Sequence, residues 1–512
     1  MGLLEFLPPL RFPTTSRQTL ECVASPGSES EQATRERRWL WLVVVPLAAV
    51  LRLLLLSHKS LWLDETLSVF FARRDLAGFF QIMHQGEFNM VLYYALLRVV
   101  LHLGDSEFWV RLPAVLAGVA AVPVMWALGK TVFDRRIGLL AALLLAVNSC
   151  HVLYSQEARA YSLLVLLSAL SSLLFIKGIE KPSAGVWLGY AIVNALAVYS
   201  HFFAVLLILA QWLSLLVLPG TLRPWKKMLW GMAGTALLCS PAAFFVLYRN
   251  TGQLNWVKKP GFGKVFNTLP FFAAEGAKGY GYVLLLGCLA ALVGSGHELW
   301  RDGRSESPLQ RWRKAMLWFC LAVPIGLVYA ASVLRTPMFE HRYLLICLPA
   351  FLLLVAQGFA VLRGRWLVPV YVALSLAAVA LSYTQKKEDW RATAGAMLSQ
   401  SRPGDAVCFF PPGTEKPFRY YELRWQERSR ALPEGAPAGE ASGRAMPAGC
   451  AVDVLDREVA RLWLVLSPIP AKSSPGAELL RAQADFTARY RLLQENDYRA
   501  VRVLLFDTSR PK

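Results

Sequence analysis

Apolar residues in this 512-residue chain come in blocks about as long as a bilayer is thick, and the blocks stop near residue 383. A helix that crosses the hydrocarbon core needs roughly 20 mostly apolar residues, with ~17 as a short limit. Blocks of that kind run Trp39–Ser57, Leu112–Gly129, Ile137–Tyr154, Ala160–Ile176, Ala184–Ser200 and Phe203–Pro219. Others are Met228–Tyr248, the short run Tyr282–Gly296, Ala315–Leu334, Tyr343–Leu362 and Trp366–Tyr383. Eleven spans are therefore expected. In lipid every backbone polar group has to be paired internally, so these blocks are helices; no period-two alternation supports a β-barrel. With 55% hydrophobic and 17% charged residues the chain also lies outside the usual range of soluble domains.

The net charge of +19 is explained by orientation. With a cytoplasmic N-terminus, the inside loops 130–136, 177–183, 220–227, 297–314 and 363–365 hold 15 Lys and Arg in 43 residues. The outside loops 58–111, 155–159, 201–202, 249–281 and 335–342 hold 13 in 102. The bias fits the positive-inside rule and puts the C-terminus outside; no nucleic-acid partner is needed to account for it. Residues 1–38 are polar and read as a disordered cytoplasmic tail ahead of an uncleaved anchor. Residues 39–383 form the membrane domain, with a long external loop at 58–111, and residues 384–512 a small extracytoplasmic α/β domain. Strands are expected at Asp405–Phe410, Arg461–Ser467 and Tyr498–Asp507, a helix at Gly476–Leu493, and a linker at Pro433–Gly449. Cys408 and Cys450 both fall in this external part, where a disulfide is chemically permitted but spacing does not establish one.

Three polar islands interrupt the apolar pattern on the expected outer face. The first is Lys59-Ser60-Leu61-Trp62-Leu63-Asp64-Glu65, two adjacent acids just beyond the first span. A carboxylate there suits a general base that takes a proton from an acceptor hydroxyl; the plain alternative is a solvated loop pair. The second is Ser155-Gln156-Glu157-Ala158-Arg159-Ala160-Tyr161. Arg159 there either pairs with Glu157 or offers a planar bidentate donor to a phosphate. The third, Arg335 to Tyr343, carries Glu340, His341 and Arg342. Ionisable groups at span ends face cavities or one another, so three islands on one face point to a site. Arg52, inside the first span, is the misfit and reads as snorkelling. His84 and Glu87 have i,i+3 spacing but no third ligand, so no metal centre is assigned and divalent-metal dependence stays open. His151 and His201, at span ends, read as buried, hydrogen-bonded histidines.

At these residues the chain resembles the GT-C class of polytopic glycosyltransferases, most nearly the bacterial branch of glycosyltransferase family 39, related to protein O-mannosyltransferases and lipid A aminoarabinose transferase. The resemblance rests on Leu61-Trp-Leu-Asp64-Glu65, Asn89-Met-Val-Leu92-Tyr93-Tyr94, Gln156-Glu157-Ala-Arg159-Ala-Tyr161, Ser200-His201-Phe202-Phe203, His341-Arg342-Tyr343-Leu344 and Asp389-Trp390-Arg391. It implies a GT-C fold in a bacterial inner membrane. The implied enzyme moves a sugar from a polyprenyl-phosphate donor to a lipid, glycan or protein acceptor, usually with inversion. It places the family's acidic residue on Asp64 with Glu65 beside it, and the donor phosphate on Arg159 and Arg342. Glu157, Tyr161, Tyr93, Tyr94, Glu340 and His341 are further substrate-site candidates. Many relatives carry His-Pro-Pro where this chain has Asn89, Met90 and Val91. The competing class is a secondary transporter for a small polar or anionic solute, whose functional charges would sit near the bilayer midplane.

Overall fold

The computed structural model describes residues 26–85, 88–248, 257–275, 279–302, 306–362, 366–385, 387–410, 413–430, 444–445, 459–467 and 475–509. The described residues fall into two compact units, one drawn from within 1–54, 80–96 and 111–383, the other from within 55–79, 97–110 and 384–512.

The first unit is helical. By length and hydropathy seven described helices can cross a membrane: Glu107–Val132, Tyr161–Glu180, Trp225–Val246, Gly281–Arg301, Pro308–Leu334, His341–Val361 and Leu367–Thr384. An eighth is the pair Arg135–Val147 and Ser149–Ser155, bent by 58°. The expected eleven are thus not confirmed, for identifiable reasons. The first block divides into a π-helical turn at Leu40–Val44 and a helix at Val45–Leu53. Ala184–Ser200 and Ala204–Val217 are apolar but shorter than 18 residues. The polar stretch expected to be disordered is helical over Pro26–Trp39, the described part of that tail. Its composition explains this: Glu29 and Glu31 lie in the N-terminal half, Arg37 and Arg38 in the last turn match the helix dipole, and Gln32 donates to Glu36 at 3.1 Å.

Helix Leu348–Val361 is the centre of this unit; every residue from Leu348 to Phe359 is buried. It packs on Tyr280–Asp302 so closely that a Cβ added at Gly358 would lie 1.8 Å from the carbonyl oxygen of Ala291. Backbone cannot yield as a side-chain tip can. Gly358→Ala is therefore expected to cost at least about 2 kcal/mol, read as a lowered melting temperature of the detergent-solubilised protein; an unchanged melt would refute the close approach.

A second packing device is polar. Gln211 donates to Ser171 and Ser172 at 3.1 and 3.2 Å, Tyr190 donates to Gln211 at 2.8 Å, and Ser171 donates to Asn194 at 2.7 Å. Such hydrogen bonds join membrane helices where apolar contacts give no preference over lipid.

The bend at Asn148 is built from side chains. Its Oδ1 accepts from the His151 N–H at 2.8 Å, starting the second half-helix, and its Nδ2 donates to the Phe272 carbonyl at 2.9 Å. The carbonyls that the broken first half leaves unpaired meet Arg52, which donates to Leu145 O at 3.1 Å and Ala146 O at 3.0 Å. Arg52 also donates to Ala48 O at 3.0 Å and His151 Nδ1 at 2.7 Å, and it is fully buried. It does not snorkel: it caps a helix end inside the membrane unit.

The second unit holds a five-stranded sheet of β1 (Ala406–Phe410), β2 (Arg444–Ala445), β3 (Arg461–Leu466), β4 (Arg491–Tyr498) and β5 (Val501–Asp507), in the order β2-β1-β3-β5-β4. The first three run parallel, and β5 is antiparallel to both β3 and β4. Helices Glu415–Arg430 and Pro475–Arg489 connect the strands. Three expected strands are present, but the expected helix to Leu493 ends at Arg489, and Arg491–Tyr498 is the edge strand of a hairpin. Its two-residue turn places Arg499 at φ 45°, and its alternating burial follows a strand with one covered face. Within the expected linker, Arg444–Ala445 forms β2, and Cys450 lies outside the described residues. Cys408 is disulfide-bonded, whereas Cys150, Cys239, Cys288, Cys320 and Cys347 are free.

Candidate active site

In the first unit, the chain leaves the bent span through Gln156, whose Nε2 donates to the carbonyls of Arg52 and Leu54 at 3.1 and 2.8 Å. That anchorage fixes the short connection carrying Glu157 and Arg159. Glu157 is buried and Arg159 is half-buried; Arg159 Nη1 reaches the hydroxyl of Tyr94 at 3.5 Å. Tyr161 opens the next helix, fully buried, and meets Tyr154 edge-on with ring centroids 5.1 Å apart. Tyr93 is also fully buried.

His201 lies in the connection between Ala184–Ser200 and Ala204–Ser214. Its ring is 4.8 Å from that of Tyr343 and 6.3 Å from that of Tyr161, centroid to centroid. Its Nδ1 accepts from the Phe203 N–H at 3.2 Å, which places the proton of a neutral ring on Nε2. Burial first, and then the guanidiniums of Arg159 and Arg342, push the His201 imidazole down to about 3. The ring is therefore uncharged at any physiological pH. The two arginines proposed from sequence thus share an aromatic cluster with Tyr94, Tyr161, Tyr343 and a neutral histidine. The reading of His201 as a buried, hydrogen-bonded residue described its burial but missed its neighbours; the Ser200-His201-Phe202-Phe203 motif was the available signal.

Asn89, where many relatives carry histidine, accepts from the Phe202 N–H at 3.1 Å and so fixes the same connection. Met90 beside it takes a φ of 72°. Glu340 pairs with Lys264 at 2.7 Å, and His341 contacts the Lys264 carbonyl through Nε2 at 2.9 Å and stacks on Phe271 at 5.3 Å. These contacts hold the segment that presents Arg342. His84 is exposed, Glu87 lies outside the described residues, and no group of three metal-ligating side chains occurs among the described residues.

In the second unit, Asp64 and Glu65 occupy the first turn of helix Leu63–Arg73. The two acids differ. Glu65 is fully buried and its Oε2 accepts from the Trp62 N–H at 3.4 Å, closing the helix start, whereas Asp64 is half-buried. The approach to this turn is tied at two points. The Leu61 N–H donates to the Tyr421 hydroxyl at 2.7 Å, which donates to Glu107 at 3.1 Å. Burial and then the Glu107 carboxylate push the Tyr421 phenol up, so it keeps its proton. Glu107 is also gripped by Arg391 at 2.7 and 3.0 Å and by Arg424 at 3.5 Å. One residue back, Ser60 Oγ donates to the Glu388 carbonyl at 2.5 Å and accepts from the Trp390 N–H at 3.2 Å.

Residues 89–245 match the family model described as dolichyl-phosphate-mannose-protein mannosyltransferase. No curated protein sequence matches the chain at a significant level. Among solved structures, ArnT from Cupriavidus metallidurans in the apo state is similar at 15% identity and a TM-score of 0.57, over 93% of this chain and 99% of that one. ArnT from the same organism bound to undecaprenyl phosphate is similar at 14% identity and a TM-score of 0.57, over 91% and 98%. At such identity the likeness establishes the architecture. This is a multi-pass membrane protein with the GT-C fold that ArnT shares, and its residues 89–245 are similar to the mannosyltransferase family model.

Proposed function

We propose that the chain transfers a sugar from a polyprenyl-phosphate donor to an acceptor hydroxyl on the outer face of a bacterial inner membrane. The observation that carries this reading is the cluster in which Arg159 meets Tyr94 at 3.5 Å, Arg342 lies over the Tyr343 ring, and that ring packs on the buried His201. Two cations, Arg159 beside the Tyr94 hydroxyl and Arg342 over the Tyr343 ring, suit an anionic leaving group, which preorganised charge stabilises most in a site of low dielectric. ArnT from C. metallidurans, which shares the fold, is seen with undecaprenyl phosphate, and this supports a lipid phosphate as the anion. Asp64 is the acid assigned to deprotonate the acceptor, because Glu65 is engaged in closing its own helix. The oxygen of the acceptor attacks the anomeric carbon, the bond to the donor phosphate breaks, and the proton passes to the carboxylate. Disulfide-bonded Cys408 supports an oxidising compartment for the C-terminal part.

The test is transfer by the purified protein in liposomes supplied with polyprenyl-phosphate sugars. Arg159→Ala is expected to raise the donor KM about 10- to 100-fold, the loss of one charge-assisted hydrogen bond of about 1.5–3 kcal/mol. An unchanged donor KM would remove Arg159 from the phosphate site. Uptake of a labelled solute without any sugar transfer would replace the transferase by a transporter.

A further inference from the structure

His201 carries a polar atom that the rest of the chain leaves unused. Its Nε2 is buried and meets no hydrogen-bond partner among the described residues. Every other polar atom of the residue is engaged. The backbone N–H donates to the Ala197 carbonyl at 2.9 Å, the carbonyl accepts from the Ala204 N–H at 3.0 Å, and Nδ1 accepts from the Phe203 N–H. With Nδ1 occupied in this way, the neutral ring carries its proton on Nε2, and the 1,3 placement of the two nitrogens turns that N–H away from the Phe203 amide. The ring is also held in place. Tyr343 lies 4.8 Å away, Phe203 5.2 Å edge-on and Tyr161 6.3 Å, centroid to centroid.

A buried donor without an acceptor costs free energy, so a fixed one in a closed site points to an oxygen that arrives with a ligand. The neighbours indicate which kind. Tyr343 follows Arg342, whose guanidinium lies over the Tyr343 ring, and Tyr161 follows Arg159 by two residues. Both arginine-bearing segments therefore meet the imidazole, and guanidiniums favour an anionic oxygen. We propose that the His201 Nε2–H donates a hydrogen bond to a phosphate oxygen of the polyprenyl-phosphate donor, as an uncharged third contact beside the two arginines. The inference rests on the donor proposed above and adds a residue to its site. A neutral donor suits this place, because it holds a phosphate oxygen without burying a further charge.

The experiment is the binding of polyprenyl phosphate, without sugar, to the purified full-length protein, with a thermal melt of each variant. Two substitutions separate the two ring nitrogens. His201→Gln keeps an N–H near the position of Nε2 and gives up the acceptor at Nδ1. His201→Asn keeps an acceptor for the Phe203 N–H and gives up the donor. His201→Asn is expected to weaken polyprenyl-phosphate binding about 10- to 100-fold, the loss of one hydrogen bond to a charged group, while its melting temperature stays near that of the parent. His201→Gln is expected to bind nearly as the parent does, although its melting temperature is lowered. A purely structural histidine gives the opposite order, with binding following the melt. If His201→Gln binds the lipid no better than His201→Asn, the role of His201 is overturned and the donor assignment stands. A parent protein that binds no polyprenyl phosphate defeats the donor assignment, and the role of His201 with it.

Discussion

Asp64→Asn is expected to lower the turnover of sugar transfer by about 10²- to 10⁴-fold, the usual worth of a positioned general base. The carboxamide has the same shape and holds no proton-accepting charge, so the loss should fall on kcat with donor KM little changed, the signature of an interaction made only in the transition state. The substitution should leave the fold intact. Asp64 is half-buried in the first helical turn, and that turn is held by Glu65 on the Trp62 N–H and by Tyr421 on Leu61. Glu65→Gln provides the contrast. It weakens a helix start, an effect of about 1 kcal/mol on stability, and should reduce turnover far less. Kinetics and thermal melts of the two variants separate the roles; full turnover in Asp64→Asn would end the case for this base.

Arg52→Met should be among the most destabilising single changes in the membrane unit. Methionine fills much of the volume, so the cost comes from the carbonyls of Leu145 and Ala146, which lose their donor where no water replaces it. At about 1–3 kcal/mol for each orphaned group the loss is of the order of 4 kcal/mol. The cation also sits at the negative end of helix Arg135–Val147, which offsets part of the cost of burying it. A detergent melt that stays level, or rises because a buried charge has gone, would show that the half-helix finds other donors.

Much of the architecture was legible because it depends on composition over long windows. The apolar blocks, the change of character after residue 383 and three of the five strands follow from hydropathy and period. What was not legible depends on individual partners. Arg52 reads as a misfit until the helix break at Asn148 shows which carbonyls it serves. β4 is polar enough to be taken for the end of a helix, since only its pairing with β5 distinguishes it. At the site, sequence pattern brought forward Asp64, Arg159 and Arg342. It favoured Asp64 over Glu65 only through the resemblance and did not show that Glu65 closes its own helix on the Trp62 N–H, nor that His201 lies beside both arginines, because such contacts depend on the folded chain.

The two short helices that meet at His201 bear on the lipid as well as on the protein. Ala184–Ser200 has 17 residues and extends about 26 Å at 1.5 Å per residue, so as a crossing helix it would fall short of the roughly 30 Å of hydrocarbon. Its neighbour Ala204–Val217 is shorter still. Hydrophobic mismatch of this sign is relieved by thinning the adjacent leaflets. On the proposed reading of Arg159 and Arg342, thinning at the His201 connection would bring the headgroup plane toward them, and a lipid phosphate would reach the guanidiniums with less of its tail drawn out of the bilayer. Membrane thickness is then expected to influence capture of the proposed donor, and reconstitution in shorter-chain lipids should favour it.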